Sequence, residues 1–97
     1  MSRLKIIISE NAEIQIEQAY VYYKIISKKI AEDFKEKLDD CINSISKNPT
    51  IYKFEFENYQ QAVVKKFPFV VIYAQYDDII FIASVFNTHQ NPNKKMK

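Results

Sequence analysis

The sequence predicts an α+β fold in which a first strand and a helical hairpin precede an antiparallel sheet, with both helices on one face. Apolar residues recur every three or four positions over 12–45 and then follow a β-type pattern over 51–86. The 97 residues are 47% hydrophobic and 27% charged, which is typical of one globular domain. We therefore expect one domain over 1–97, in which 88–97 is a polar basic tail.

The helical half has clear boundary signals. Residues 3–8 end in three isoleucines and predict a short strand. Ser9 and Ser27 are suited to cap the N-termini of two helices, and Asn48-Pro49 ends the second helix. Because only a few residues separate the helices, we expect them to pack as an antiparallel hairpin.

The second half of the chain predicts three or four strands. The candidates are 51–56, 60–67, 69–76 and 79–86, and Asp77-Asp78 supplies a hairpin turn in a chain without glycine. An isolated strand is unstable, so the first strand is expected to join this sheet.

The first helix carries two apolar stripes. The first stripe fits a core and consists of Ala12, Ile16, Ala19, Tyr20 and Tyr23. The second consists of Ile14, Val21 and Ile25, and it indicates that the helix contacts a neighbour on another side. Tyr22 falls off the core stripe. It is either part of a partner interface or an isolated exposed aromatic residue.

The composition excludes several kinds of site. A chain without glycine has no Walker-type or dinucleotide-binding loop. The single Cys41 excludes an internal disulfide and a multi-cysteine metal site, and the single His89 excludes a His-paired zinc site. We therefore expect no metal and no cofactor, and we interpret Cys41 as a small core residue. The N-terminal apolar run is too short for a signal peptide or a membrane span, so we expect a cytoplasmic protein.

The charged residues leave alternatives open. The net charge is only +2, which does not by itself indicate a nucleic-acid partner. Lys65 and Lys66 are either solvated or placed to contact phosphate beside stacking aromatics. His89 is either inert or a general acid or base. Three lysines of the tail are either solvated or contact RNA, DNA or an acidic partner: Lys94, Lys95 and Lys97.

Four stretches, residues 9–23, 30–49, 65–87 and 89–92, together resemble the RelE/ParE superfamily, the toxins of type II toxin–antitoxin systems that are often described as plasmid stabilisation proteins. The family's first helix with paired tyrosines is similar to SENAEIQIEQAYVYY (9–23), and its second helix is similar to IAEDFKEKLDDCINSISKNP (30–49). Its Lys-Phe-Pro-Tyr/Phe strand and final hairpin are similar to KKFPFVVIYAQYDDIIFIASVFN (65–87). The family often has a basic residue before Asn-Pro or Asp-Pro, where this chain has HQNP (89–92).

The resemblance implies a cognate antitoxin that neutralises the toxin by docking a helix or adding a strand. It also implies either a homodimer or a toxin–antitoxin hetero-oligomer. ParE-like members inhibit DNA gyrase by binding, whereas RelE-like members cut mRNA on the ribosome without a metal and use arginines to do so. Here Tyr59-Gln60-Gln61 and His89-Gln90 stand where those arginines are expected, and Arg3 is the only arginine. Lysine lacks the guanidinium fork, so the resemblance favours a ParE-like toxin.

The site residues follow from these alternatives. A ParE-like toxin would bind its target, with gyrase favoured, through Tyr22 and other surface residues. A RelE-like mRNA endonuclease would use Lys65, Lys66 and His89 as catalytic residues. The third alternative is a detoxified relative that only binds an antitoxin. The remaining binding candidates are Lys53, which adds charge, and two residues for base stacking, Tyr73 and Tyr76.

Overall fold

The computed structural model of the chain describes residues 4–89, apart from the side chains of residues 55 and 56. Two helices and five strands follow one another with short connections. In chain order they are β1 (Lys5–Ile8), α1 (Glu10–Ile26), α2 (Lys28–Lys47), β2 (Lys53–Phe56), β3 (Tyr59–Val63), β4 (Phe69–Tyr76) and β5 (Ile79–Asn87), with a one-turn 3-10 helix at Pro49–Ile51 before β2.

The strands form one sheet in the order β1-β5-β4-β3-β2. Strand β1 pairs parallel to β5, and all other neighbours are antiparallel. The helices pack on one face, where Phe34, Leu38 and Ile45 of α2 share a core with Val71 and Ile82 of the sheet. The predicted α+β architecture is therefore confirmed, including the entry of the first strand into the sheet.

Two serines set the helix boundaries as predicted. The Ser9 hydroxyl accepts a hydrogen bond from the Ala12 N–H at 3.0 Å, and the Ser27 hydroxyl accepts one from the Ile30 N–H at 3.4 Å. Ser27 is the single residue between the helices, and its extended backbone turns the chain. Tyr20 of α1 donates to Glu32 of α2 at 2.6 Å, which links the two arms of the hairpin.

The prediction of a strand over 60–67 was wrong for the second half of that range. Strand β3 ends at Val63, and Lys66 takes a φ of 71° in the turn that follows. The Val64 N–H then donates to the Phe69 carbonyl at 3.0 Å and closes the turn. The apolar pattern misled here because Phe67 is partly buried by a turn that folds back on the helices, not by a continuing strand. Ile51 likewise belongs to the 3-10 helix, not to β2.

The β4–β5 hairpin contains a bulge. Asp77 has a φ of 52°, so the predicted Asp-Asp turn is confirmed. Further along, Ile72 pairs with Ser84 but Tyr73 pairs with Ile82, which leaves Ala83 as an extra residue in β5. The ladder is interrupted in the middle of the sheet, so its backbone groups need other partners.

Helix α1 supplies those partners. The Ala83 carbonyl accepts hydrogen bonds from the Ser9 hydroxyl at 2.9 Å and the Asn11 amide at 3.3 Å. Gln15 Oε1 accepts one from the Val85 N–H at 2.8 Å. Three polar side chains from the first turns of α1 therefore attach the helix to the bulge.

We expect Gln15→Ala to lower the free energy of unfolding by about 1–3 kcal/mol, because the Val85 N–H and the Ser84 hydroxyl lose a shared acceptor. Asn43→Ala is the matched control, since it removes an exposed amide from α2. That control should change stability by no more than about 0.5 kcal/mol. Urea denaturation followed by circular dichroism measures both. Equal stability of the two variants would contradict the role of Gln15.

Candidate functional site

An aromatic cluster holds the β3–β4 turn against the helical hairpin. Tyr23 and Phe34 come from the two helices, and Phe67 and Phe69 come from the turn and the start of β4. The ring centroids lie 5.2 Å apart for Tyr23–Phe67, 5.4 Å for Phe34–Phe67 and 5.2 Å for Phe34–Phe69, in tilted or edge-to-face arrangements. The cluster fixes the turn relative to α1 and α2.

A cleft of about 450 Å³ opens between α1 and the end of the sheet, and we call it the α1–β5 cleft. Tyr22 and Tyr23 lie on its helical side, and Pro68 and His89 lie on the opposite side. The Tyr22 side chain is 62% exposed, and its ring stands edge-on to that of Tyr23 at 5.4 Å. The other lining residues are Gln15, Gln18, Ala19, Ile26, Phe69, Val85 and Asn87.

Hydrogen bonds hold the backbone that carries His89. The His89 N–H donates to Asn87 Oδ1 at 2.8 Å. The Thr88 N–H and hydroxyl both donate to the Pro68 carbonyl, at 2.8 and 3.2 Å. The segment after β5 is thereby attached to the β3–β4 turn, so Tyr22 and His89 line the same cleft although they are far apart in the sequence.

Lys65 lies elsewhere. It lines a smaller cleft of about 160 Å³ beside α2 and β3. Its neighbours there are Lys37, Asp40, Cys41, Ser44, Tyr52 and Val63. The structure therefore places Lys65 and His89, two of the three predicted catalytic residues, in different clefts.

Lys66, the third of them, faces α2. Its Nζ lies 3.8 Å from Asp33 Oδ2, and the other oxygen of that carboxylate accepts a hydrogen bond from Lys37 Nζ at 2.9 Å. The hydrogen bond from Lys37 holds the pKa of Asp33 below its usual range. Lys66 is thus part of a cluster of two cations and one carboxylate that joins the β3–β4 turn to α2.

The remaining predicted binding residues differ in exposure. Tyr73 is fully buried, and its hydroxyl donates to the Pro49 carbonyl at 2.6 Å. Burial raises the pKa of Tyr73, and its ring offers no surface for base stacking, so we correct its assignment to the core. Tyr76 is half-exposed at the end of β4, where its hydroxyl accepts from the Asn58 amide at 3.4 Å. Lys53 is exposed on the edge strand β2.

A family model described as "ParE toxin of type II toxin-antitoxin system, parDE" matches residues 6–92 of the chain. The chain belongs to the ParE toxin family. The match spans both helices and all strands except the first residue of β1. It confirms the resemblance to the RelE/ParE superfamily.

Two solved structures share the fold of this ParE-family chain. One is "Chromosomal ParDE TA system from P. aeruginosa", with a TM-score of 0.76 at 11% identity over 87% of this chain and 95% of that one. The other is "The structure of YoeB dimer from Staphylococcus aureus", with a TM-score of 0.56 at 22% identity over the same shares. At these identities the likeness shows the fold alone. No curated protein sequence matches the chain significantly.

Gln60 stands at one of the two positions where a RelE-like enzyme is expected to have arginine. Its side chain is buried, and its amide donates to the Pro49 carbonyl at 2.8 Å and the Tyr52 carbonyl at 2.9 Å. Both N–H donors are thus used to hold the 3-10 helix and the start of β2. In this ParE-family chain the position has a structural role.

Sequence reasoning missed the structural roles of two glutamines. Gln15 joins α1 to β5 and lines the α1–β5 cleft, and Gln60 ties β3 to the segment before β2. Neither has a local signal, because an amide on a helix or strand usually faces solvent. The second expected arginine position, at His89-Gln90, lies at the limit of the described residues, and Gln90 and the three tail lysines lie outside them.

Between residues 4 and 89, no helix is both long and apolar enough to cross a bilayer. Over the same residues, no three His, Cys, Asp or Glu side chains come together in a way that could hold a metal ion.

Cys41 is a core residue, as predicted. It is 8% exposed, and its thiol lies 3.6 Å from the Val63 carbonyl, to which it donates. Burial raises the pKa of the Cys41 thiol to about 11, because the charged thiolate is poorly solvated there. The neutral thiol is therefore favoured at physiological pH.

We expect iodoacetamide to alkylate Cys41 at least about 100-fold more slowly in the folded chain than in urea at pH 8, since only the thiolate reacts. Between pH 7 and 9.5 the folded-state rate should rise roughly tenfold per pH unit without reaching a plateau, because the thiol pKa lies above this range. Intact-mass spectrometry of timed samples gives both rates. Folded and unfolded rates within about twofold of each other would contradict the burial of the thiol.

Proposed function

We propose that the chain is a toxin that inhibits growth by binding a cellular target, with DNA gyrase as the favoured target, and that a cognate antitoxin neutralises it. Membership of the ParE family supports the toxin assignment. The related Pseudomonas aeruginosa structure is described as a ParDE toxin–antitoxin system, which supports the antitoxin. Its place of action is the cytoplasm, where gyrase and ribosomes are found.

The separation of the candidate catalytic groups is the main observation that favours a binding mechanism instead of RNA cleavage. General acid–base catalysis needs groups within hydrogen-bond reach of one reacting centre. Lys65 lines the α2–β3 side, the exposed Lys66 lies 3.8 Å from the Asp33 carboxylate, and His89 lines the α1–β5 cleft. This arrangement of the three groups is more typical of a binding surface than of a site that cleaves RNA.

Electrostatics points in the same direction. Stabilising the charge that develops on a phosphate in the transition state needs fixed donors, and arginine supplies them in a rigid fork. The chain's only arginine is Arg3, and the buried amide of Gln60 is used within the fold. The lysines that remain are flexible point charges.

The α1–β5 cleft is the best supported contact surface. It combines a rigid aromatic wall with an exposed imidazole, and Tyr22 projects at its edge. An exposed tyrosine that packs against a second aromatic ring loses little side-chain entropy on binding, which is why tyrosine is enriched at interfaces. The antitoxin would compete for this surface or add a strand at the free edges of β1 or β2.

Pulse labelling just after induction of the chain alone should show DNA synthesis stopping before protein synthesis. The purified chain should also inhibit supercoiling by gyrase, and equimolar antitoxin should restore supercoiling. Earlier arrest of protein synthesis with cleaved mRNA would overturn the gyrase proposal in favour of the RelE-like endonuclease. Arrest of neither would indicate a detoxified relative.

Tyr22→Ala should raise the concentration needed to inhibit gyrase by about tenfold or more, since truncation of an interfacial tyrosine commonly costs above 1 kcal/mol. Phe54→Ala is the matched control, because Phe54 is an equally exposed aromatic residue on β2 and does not line this cleft. Lys65→Ala should leave inhibition unchanged within about twofold. Equal effects of Tyr22→Ala and Phe54→Ala would exclude the cleft as the contact surface.

A further inference from the structure

Helix α1 has a second apolar seam that is largely exposed to solvent. It consists of Ile14, Gln18, Val21 and Ile25, at spacings of four, three and four residues. Ile14, Val21 and Ile25 are 49%, 47% and 81% exposed. These four residues line one shallow depression of about 540 Å³, so their side chains share a surface. The spacing is that of the a and d positions of a two-helix coiled coil.

This seam lies opposite the face of α1 that packs on the sheet. The packed face consists of Ala12, Ile16, Ala19 and Tyr23, with the same spacings, displaced by two residues. Two residues correspond to about 200° around a helix, so the two faces point away from each other. Within residues 4–89 the first stripe is covered by the protein's own core, whereas the second stripe is left largely exposed.

The charges beside the seam identify the occupant. Glu17 and Lys24 are exposed and stand on the same flank, one heptad apart. When two copies of the seam pair antiparallel about a twofold axis, Ile14 packs on Ile25 of the second copy, and Gln18 packs on Val21 of the second copy. Glu17 then faces Lys24 of the second copy, between these two layers, and the twofold axis repeats the pair.

We propose that the seam is a homodimer interface in which two α1 helices pack antiparallel. Both the apolar layers and the charges are complementary to a second copy of the same surface, which is the requirement for a twofold interface. In a parallel pair, Glu17 would face Tyr22 of the second copy and no charges would be matched. One helix per subunit makes a small interface, so dimerisation should depend on concentration.

Sedimentation equilibrium on the purified 97-residue chain tests this proposal. The average mass should rise from 11.5 kDa towards twice that value as the concentration is raised from about 1 to about 300 µM. Val21→Lys should abolish the rise, because it buries a charge in the seam. Ile51→Lys is the control, since Ile51 is 69% exposed and lies outside α1. A wild-type chain that stays monomeric, or a dimer that tolerates Val21→Lys, overturns the proposal.

Charge exchange tests the antiparallel register. Glu17→Lys and Lys24→Glu should each weaken dimerisation at least about fivefold, because each sets like charges opposite one another twice. The double exchange, Glu17→Lys with Lys24→Glu, should return affinity to within about twofold of wild type. Circular dichroism verifies that each variant is folded. Loss of affinity in the single variants without recovery in the double variant overturns the register. A monomeric wild type whose antitoxin binding is lost in Val21→Lys would assign the seam to the antitoxin instead.

Discussion

The attachment of α1 to the bulge in β5 is the interaction on which the rest of the structure depends. Strand β1 pairs with β5 only as far as Ile82, and the bulge at Ala83 follows directly, so the next backbone groups of β5 have no strand partner on that side. Ser9, Asn11 and Gln15 satisfy them from one side. An unsatisfied buried polar group would cost about 1–3 kcal/mol, so these contacts fix the position and the rotation of the helix. That rotation decides which face of α1 enters the core.

The β3–β4 turn depends on this placement. Once α1 is attached, Tyr23 meets Phe34, Phe67 and Phe69 in one aromatic cluster. The cluster draws the turn against the helices, and the Pro68 carbonyl then accepts both donors of Thr88. The α1–β5 cleft is therefore a consequence of core packing. Its walls belong to α1, the β3–β4 turn and the end of β5.

Helix α1 of this ParE-family chain contributes both to the core and to the exposed surface. Its inner stripe packs on the sheet, Tyr22 borders the α1–β5 cleft, and the seam at Ile14, Val21 and Ile25 faces outward. Isolated exposed apolar residues are common on monomeric proteins, whereas a contiguous apolar stripe more often marks an interaction site. The same helix thus presents two adjacent surfaces that share Gln18 and Tyr22, whereas Val21 lines only the seam and His89 lines only the cleft.

The sequence alone determined the features that depend on local chemistry. Ser9 and Ser27 cap the helices because a hydroxyl bonds an N–H three residues on, and Asp77 turns the hairpin because a short polar side chain tolerates positive φ. The family resemblance, which rests on four ordered stretches, also came from sequence. The tertiary structure decided where β3 ends, that Tyr73 is buried, and that Lys65 and His89 lie in different clefts. Those outcomes depend on contacts between residues far apart in the chain, and a local pattern of apolar and polar residues does not predict such contacts.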